Sequence, residues 1–398
     1  MRALQEELAT GSTPAPRVPA DWLAFTGTAI IALVFVQFAT GVMLFSYYYP
    51  HVAKAFSSHQ AIANEVPFGF LVETLHAMGA KMIVALAFLH LFLVWWHGSY
   101  RGPRARIWYA GMGLLLAFLV TGFSGYLLPW SQQSFWACVV GTEALRAVPL
   151  IGGGLVWLLR GGENVGQPTL VIFYLCHVLF LPAAIVTLLY FHVKWVWKAG
   201  VTGPSDTTAR PDLDKCLGCK ACSLACPFTA IQMIEVSGRK RPALNEDACN
   251  ACRACVILCP ASCISLRGPE GAVRNEPLWP HAVLRRIMAS LGAVGLLFFS
   301  AFFLHGLFIA GKTPADPLLT PDRIKPDWYF LAPYQVLKVL PSERWGLAVL
   351  FLLTAALCAL PALDPKGLRD PARRTVHRFL VKAAAAGLIV FTIWGYLS

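Results

Sequence analysis

Seven long apolar blocks, at roughly 22–48, 69–96, 107–128, 169–197, 284–311, 345–362 and 378–396, constrain this chain more than any other feature. Each reaches or approaches the about 20 residues an α-helix needs to cross hydrocarbon. A backbone in lipid must satisfy its own hydrogen bonds, and helices of this length do so. Of the 398 residues 57% are hydrophobic and 14% charged, gathered in blocks rather than alternating as in a soluble domain. The expected fold is a membrane all-α protein of seven transmembrane helices, four before and three after a polar interruption. Residues 1–21 are polar and Pro-containing, and the first block is longer than a signal core, so they read as a tail rather than a cleavable leader.

The basic residues give an orientation. Arg101, Arg104 and Arg106 lie between the second and third blocks, and Lys366, Arg369, Arg373, Arg374 and Arg378 between the sixth and seventh. These loops are expected on the cytoplasmic side of a prokaryotic cytoplasmic membrane. The first loop carries only Lys54 against Glu65 and belongs on the positive side, so the N-terminus and the polar interruption fall inside. The net charge of +12 is therefore mostly topological. No basic stripe interleaves with stacking aromatics, which argues against a nucleic-acid partner.

Four histidines stand inside two of the blocks, His76 and His90 in the second, His177 and His192 in the fourth. The intervals are 14 and 15 residues, which at helical rise separates two levels by about 21 Å. Paired imidazoles at two levels suit the axial ligands of two stacked b-type haems. The competing reading, unrelated polar contacts between helices, leaves the matched intervals unexplained. Gly27 and Gly41 in the first block and Gly111 and Gly125 in the third are also 14 apart, and a missing Cβ lets a flat macrocycle approach the backbone. His51, His59, His97, His281, His305 and His377 have no such partners in sequence and default to interface or loop positions.

The interruption, about 204–278, holds nine of the twelve cysteines, eight of them in two runs. They read Cys216-Leu-Gly-Cys219-Lys-Ala-Cys222-Ser-Leu-Ala-Cys226-Pro227 and Cys249-Asn-Ala-Cys252-Arg-Ala-Cys255-Val-Ile-Leu-Cys259-Pro260. In this spacing three thiolates from one loop hold one 4Fe-4S cluster, and the fourth, before proline, reaches the other. The crossed assignment is Cys216, Cys219, Cys222 and Cys259 for the first cluster, and Cys249, Cys252, Cys255 and Cys226 for the second. Zinc or disulfides fit less well, because duplicated runs ending in Cys-Pro suit cubane clusters and the inside placement disfavours disulfides. Cys138, Cys176, Cys263 and Cys358 read as small apolar packers with no assigned role.

These features together resemble the cytochrome b subunit of the cytochrome bc superfamily of quinol-oxidising, Rieske-containing complexes. The resemblance covers about 300 residues and also rests on Gly125-Tyr-Leu-Leu-Pro-Trp130 and on Pro326-Asp-Trp-Tyr329 with its continuation to Lys338. The 15-residue histidine interval, the ending Ala199-Gly-Val-Thr-Gly-Pro204 and the three helices after the interruption are similar to the chloroplast-type branch, whose two parts are separate polypeptides. Here they are fused through a bacterial-type two-cluster ferredoxin domain. The implied domains are a cytoplasmic tail (1–21), a four-helix dihaem bundle (22–203), a small α+β ferredoxin-like insert (204–278) and a three-helix part (279–398).

The resemblance implies roles. His76 and His177 would bind the haem nearer the positive side, His90 and His192 the haem nearer the cytoplasm, and the quinol site would lie around Pro326–Tyr329. Asp327 is the implied proton acceptor, since quinol oxidation must release two protons and a carboxylate beside the quinol can take one; the rival is a solvated loop acid beside Lys325. Tyr329 would position the substrate or plug the pocket wall. Departures from the branch are Asp327 where Glu is commoner, Phe25 where a cysteine attaches an extra haem, and Glu73 and Ala77 where basic residues flank the first ligand. Lys194 and Lys198 are charged neighbours for a cytoplasmic-side quinone site.

The implied activity is that of a proton-translocating quinol:cytochrome c oxidoreductase subunit, passing one electron across the haems to quinone and the other to a Rieske protein. A c-type cytochrome or other high-potential acceptor, the quinone pool, membrane lipid and a second copy in a homodimer are the implied partners. The clusters accept electrons from the cytoplasmic-side haem, donate to it, or exchange with a soluble ferredoxin. Two alternatives are a ferredoxin:quinone oxidoreductase without a Q-cycle, and clusters that serve only to dock a partner.

Overall fold

The computed structural model describes residues 17–19, 22–199, 208–268 apart from 247 and 250, 271–272, 275–277, 282–303, 313–364 apart from 323, and 375–398. The tail before residue 17, His281, His305, the stretch 200–207 and the loop residues Lys366, Arg369, Arg373 and Arg374 lie outside the described residues.

Among the described residues, seven helical spans are long and apolar enough to cross a membrane. The first three are α1 (Trp22–Phe45), α3 (Gly69–Trp96) and α4 (Ala105–Leu127). The fourth runs from α7 (Gln167–Leu175) through a π-helical turn, Cys176–Phe180, into α8 (Leu181–Ala199). After the insert come α11 (Val283–Phe303), α13 (Glu343–Leu363) and α14 (Thr375–Leu397). Shorter helices sit between the spans: α2 (Ala55–Asn64), α5 (Gln132–Glu143), α6 (Gly152–Arg160) and α12 (Trp328–Val339). The start of α5 is fixed by a reciprocal cap, Ser131 accepting from the Ser134 N–H while the Ser134 hydroxyl accepts from the Ser131 N–H.

The π turn has a local cause. Pro182 has no N–H to give to the preceding turn, and its ring crowds the carbonyl four residues back. The turn before it is widened, Leu181 N–H bonding to Cys176 O, an i→i+5 contact that takes up one extra residue. The 15-residue interval from His177 to His192 therefore spans nearly the same rotation as the 14-residue interval from His76 to His90.

α1 lies along α3, α4 lies along α8, and α11 packs against both α1 and α3. Their shared core is built from Leu33, Leu75, Val84, Leu114, Phe118, Leu297 and Tyr329, all buried. The halves before and after the insert are joined at one end by polar contacts. Arg101 Nη2 and Tyr100 OH donate to Asp364 Oδ2 at 2.7 and 2.6 Å. Trp108 Nε1 donates to Leu357 O at 2.9 Å, and His377 Nε2 to Trp95 O at 2.8 Å. His377 is thus an interface histidine, as expected from its lack of a partner in sequence.

The insert is the only part of the described residues where strands carry the architecture. β2 (Thr208–Pro211), β5 (Ile264–Gly268) and β6 (Gly271–Ala272) form an antiparallel sheet in the order β2-β5-β6. β3 (Ile231–Val236) and β4 (Arg239–Leu244) form a hairpin closed by Ser237-Gly238, both at positive φ, as a tight two-residue turn with the strand twist requires. Short helices α9 (Ala221–Ala225) and α10 (Ala254–Ile257) follow the two cysteine loops. Outside the insert, β1 (Arg17–Pro19), just before α1, pairs antiparallel with β7 (Asn275–Pro277), with Val18 opposite Glu276.

Candidate functional site

α3 and the fourth span run in the same direction, because His76 meets His177 and His90 meets His192. The His76 and His177 ring centroids are 6.1 Å apart, with planes at 75°. His90 and His192 face one another at the second level. A metal bound to one nitrogen of each ring by bonds of about 2 Å would put such centroids about 6 Å apart, so the first pair is spaced for one iron between them.

The Nδ1 atom of every one of these rings is taken by the protein. His76 Nδ1 lies 2.9 Å from Thr40 Oγ1 and His90 Nδ1 2.8 Å from Thr26 Oγ1. His177 Nδ1 reaches Ser124 Oγ and Thr121 O, both at 3.1 Å, and His192 Nδ1 reaches Ile107 O at 3.0 Å. Thr40 donates its own proton to Val36 O at 2.7 Å, so it accepts from His76. The carbonyl acceptors fix Nδ1–H in the same way for His177 and His192. This tautomer leaves Nε2 as the free lone pair, which is how imidazole ligands are commonly oriented.

The four glycines stand against the four rings. A Cβ on Gly125 would come 2.6 Å from His177 Cε1, on Gly41 3.2 Å from His76 Cε1, on Gly111 3.2 Å from His192 Cε1, and on Gly27 3.7 Å from His90 Cε1. The bare helix surface makes room for the imidazole, and the residue before three of the glycines, Thr26, Thr40 and Ser124, supplies a hydroxyl. Sequence reasoning assigned the glycines to macrocycle packing and missed these hydroxyls. The signal was present as Thr-Gly, Thr-Gly and Ser-Gly at the spaced positions.

A second group forms beside the first level. Asp327 caps α12, Oδ1 accepting from Trp328 N–H at 2.8 Å, and its Oδ2 lies 3.2 Å from Lys81 Nζ of α3. The Asp327 side chain is 13% exposed, so it is not a solvated loop acid. Lys325 instead donates to Tyr396 O at 2.6 Å. Tyr329 is buried, its hydroxyl against Gly122 of α4, where a Cβ would come 2.6 Å from it. Burial pushes the Tyr329 phenol well above its ordinary value, so it stays a proton donor. Tyr126 faces both Asp327 and Tyr329. Lys81 and Tyr126 were not singled out from sequence, although a lysine inside an apolar span is costly and commonly functional. Glu73 pairs with His59 at 2.9 Å, and Lys194 Nζ lies 3.3 Å from Tyr190 OH.

In the insert the eight motif cysteines separate into two groups around two cavities. Cys216, Cys219, Cys222 and Cys259 line one, with Cys263. Cys226, Cys249, Cys252 and Cys255 line the other. Each group takes three thiols from one loop and one from the other. Among the described residues no three His, Cys, Asp or Glu side chains converge as a single bare metal ion would need. Burial pushes the Cys255 thiol up to about 12, so loss of its proton needs the compensating charge of bound iron. Cys263, read from sequence as an apolar packer, has its sulfur 3.4 Å from Cys259 Sγ. The second cavity is the one next to the membrane helices: Phe228 lies against Gly102, whose Cβ would sit 4.0 Å from its ring, and Arg104 faces Cys252.

Comparison with known proteins places these sites in context. Residues 11–200 match the family model described as cytochrome b/b6/petB, 314–398 that of the cytochrome b C-terminal part/b6/petD, and 209–266 that of a 4Fe-4S dicluster domain. The chain is 30% identical to cytochrome b of Rickettsia bellii over 351 residues, 87% of this chain and 72% of that one. It is 30% identical to cytochrome b of Rhodospirillum rubrum over 368 residues, 92% and 75% of the two chains. With cytochrome b/c1 of Bradyrhizobium diazoefficiens the identity is 30% over 92% of this chain and 44% of that one. A solved hyperthermophilic respiratory complex III has a chain that superposes with a TM-score of 0.74 at 26% identity, over 99% of this chain and 89% of its own.

Proposed function

Because the chain belongs to the cytochrome b family, its two parts separated by a 4Fe-4S dicluster domain, we propose that it is the membrane electron-transfer subunit of a quinol-oxidising bc-type complex. In this reading His76 with His177 and His90 with His192 hold two b haems, and the crossed cysteine groups hold two 4Fe-4S clusters. When bound, these groups supply a one-electron relay across the membrane and out into the insert. The observation that carries the reading is the common setting of the four imidazoles, each with Nδ1–H tied to the protein and a glycine behind the ring.

The residues around Asp327 then do the proton work of quinol oxidation. Asp327 accepts a proton from the quinol hydroxyl, Lys81 compensates the carboxylate before transfer, and Tyr329 and Tyr126 shape the pocket and orient the ring through their hydroxyls. A Rieske protein and a c-type cytochrome or other high-potential acceptor take the second electron. In this reading the insert and the N-terminus lie on the cytoplasmic side, as the basic residues of the loops favour, and quinol is oxidised on the positive side.

The contacts of Phe228 with Gly102 and of Arg104 with Cys252 support an order for this proposed relay. The second cluster lies toward the membrane, and the first, which carries the exposed Cys219, lies outward. This order also supports a second reading, in which electrons enter through the first cluster from a soluble ferredoxin and pass to quinone. Anaerobic mixing of the purified complex with quinol, followed optically for haem and by EPR for the clusters, separates the two. Haem reduced by quinol, with loss of the reaction in Asp327→Asn, is the expected result. Haem that quinol cannot reduce, but that reduced ferredoxin can, would replace the first reading by the second.

A further inference from the structure

The cysteine-rich insert is an internal repeat whose correspondence extends past its motif cysteines. Cys216, Cys219, Cys222 and Cys226 recur 33 residues later as Cys249, Cys252, Cys255 and Cys259. Unusual backbone angles recur with them: φ is 69° at Gly218 and 47° at Ala251, 65° at Lys220 and 71° at Arg253, 51° at Thr229 and 47° at Ser262. The same register sets Ala230, in Cys226-Pro-Phe-Thr-Ala-Ile231, opposite Cys263, in Cys259-Pro-Ala-Ser-Cys-Ile264. Both positions are buried, at 1% and 5% exposure. One half of the repeat therefore carries a thiol where the other carries a methyl hydrogen.

That thiol is aimed at one cavity. Its sulfur is 3.4 Å from Cys259 Sγ, it also reaches Cys216, and it lines the cavity of the Cys216, Cys219, Cys222 and Cys259 group. At the corresponding place in the other half, Ala230 offers its backbone N–H, 3.3 Å from Cys226 Sγ, and no side-chain donor. The backbone N–H of Cys263 likewise reaches Cys259. The thiol is thus an additional donor beside an arrangement otherwise repeated. Cys259, which stands before Pro260 and corresponds to Cys226, remains the residue in the ligand position.

Hydrogen bonds to ligand sulfur disperse negative charge and favour the reduced state of an iron-sulfur cluster. Resting on the assignment of the eight cysteines to two clusters, we propose that Cys263 is a positioning residue for the first cluster, donating its S–H to the Cys259 sulfur and raising that cluster's reduction potential. Two sites made by one repeated sequence are in this way given different potentials, the outer one tuned by a thiol that the inner one lacks.

The test is an EPR-monitored redox titration of the anaerobically purified complex, with iron and sulfide analysis, for the wild type, Cys263→Ala, Cys263→Ser and Ala230→Cys. Both clusters should be retained in Cys263→Ala, with one midpoint moved to lower potential and the other unchanged. The serine variant, which keeps a donor, should move the same midpoint less. Ala230→Cys should move the other midpoint upward. Unchanged midpoints with both clusters retained would overturn the proposal, and so would loss of one cluster in Cys263→Ala, which would make Cys263 a ligand. Absence of iron and sulfide from the wild type would overturn the cluster assignment itself, an outcome distinct from unmoved midpoints.

Discussion

Lys81 Nζ lies 3.2 Å from Asp327 Oδ2, so a lysine inside the second span is matched by a carboxylate delivered from the other half of the chain. Neither charge suits this setting alone: the side chains are 25% and 13% exposed, and an unpaired charge within a span is costly. The pair also fixes which way Asp327 points, because its other oxygen is committed to the Trp328 N–H.

Asp327→Asn keeps the shape and the cap but removes the proton acceptor. Quinol oxidation should fall by about 10²-fold or more while the haem spectrum is retained. Lys81→Met should lower activity less but destabilise the protein more, because it strands the carboxylate. The double variant Lys81→Met/Asp327→Asn should recover part of that stability. Thermal midpoints in detergent and quinol turnover, measured on all three variants, check the scheme; full turnover in Asp327→Asn would remove this residue from the proton path.

The glycines give a graded prediction. Alanine at Gly125, where a Cβ would come 2.6 Å from His177 Cε1, should displace the ring and cost a haem. At Gly41 and Gly111, where a Cβ would come 3.2 Å from the ring, the ring must shift by a few tenths of an ångström, and at Gly27, where it would come 3.7 Å, alanine fits. Haem per polypeptide should therefore rank Gly27→Ala above Gly41→Ala and Gly111→Ala, and those above Gly125→Ala. Equal occupancy in all four would mean that the rings are not held against these positions.

The spans were legible because length and apolarity in lipid leave few alternatives, and the crossed cysteine groups because the Cys-Pro spacing carries its own geometry. The short helices α5 and α6 were not, since each lies outside the apolar blocks that mark the spans. The partner of Asp327 was hidden for a different reason. Lys325 is its neighbour in sequence, but Lys325 turns to Tyr396 while Asp327, at the start of α12, meets Lys81, a residue almost 250 positions away. Cys263 looked like a packing residue because the ligand pattern ends four residues earlier, and its meaning needs the repeat register and the sulfur positions together.

The contact that joins the two halves should be worth measuring directly. Arg101 and Asp364 have side chains 11% and 24% exposed and are 2.7 Å apart, and Tyr100 adds a second donor to the same oxygen. Arg101→Met should destabilise by about 1–3 kcal/mol, the cost of leaving a partly buried carboxylate short of its charged donor. Asp364→Asn should cost less, since the amide oxygen still accepts. Differential scanning of the solubilised protein resolves the two.

Acidification should act on the α5–α6 connection. The Arg146 hydrogen bond, followed by the charges of Arg146 and Arg160, holds the Glu143 carboxyl below the usual carboxylate range. A depressed carboxyl contributes stability that is present above its unfolded pKa and is lost as pH falls through the folded value. Glu143 is 46% exposed, so solvent screening keeps the contribution to about 0.2–1 kcal/mol. The difference in thermal midpoint between wild type and Glu143→Gln should be present near neutral pH and vanish in acid; a difference that persisted in acid would assign the effect to something other than charge.

The pairing of β1 with β7 turns the insert from a pendant into an arch. The chain leaves the four-helix bundle at α8 and returns at α11, and the strand before α1 is hydrogen-bonded to the strand that ends the excursion. Three points of the polypeptide, rather than two, thus hold the insert to the bundle. A carrier held so does not search for its partner by swinging on a tether. In the proposed relay, electron transfer is then set by a fixed gap and a driving force, and solvent viscosity, which slows a hinged shuttle, should leave its rate unchanged.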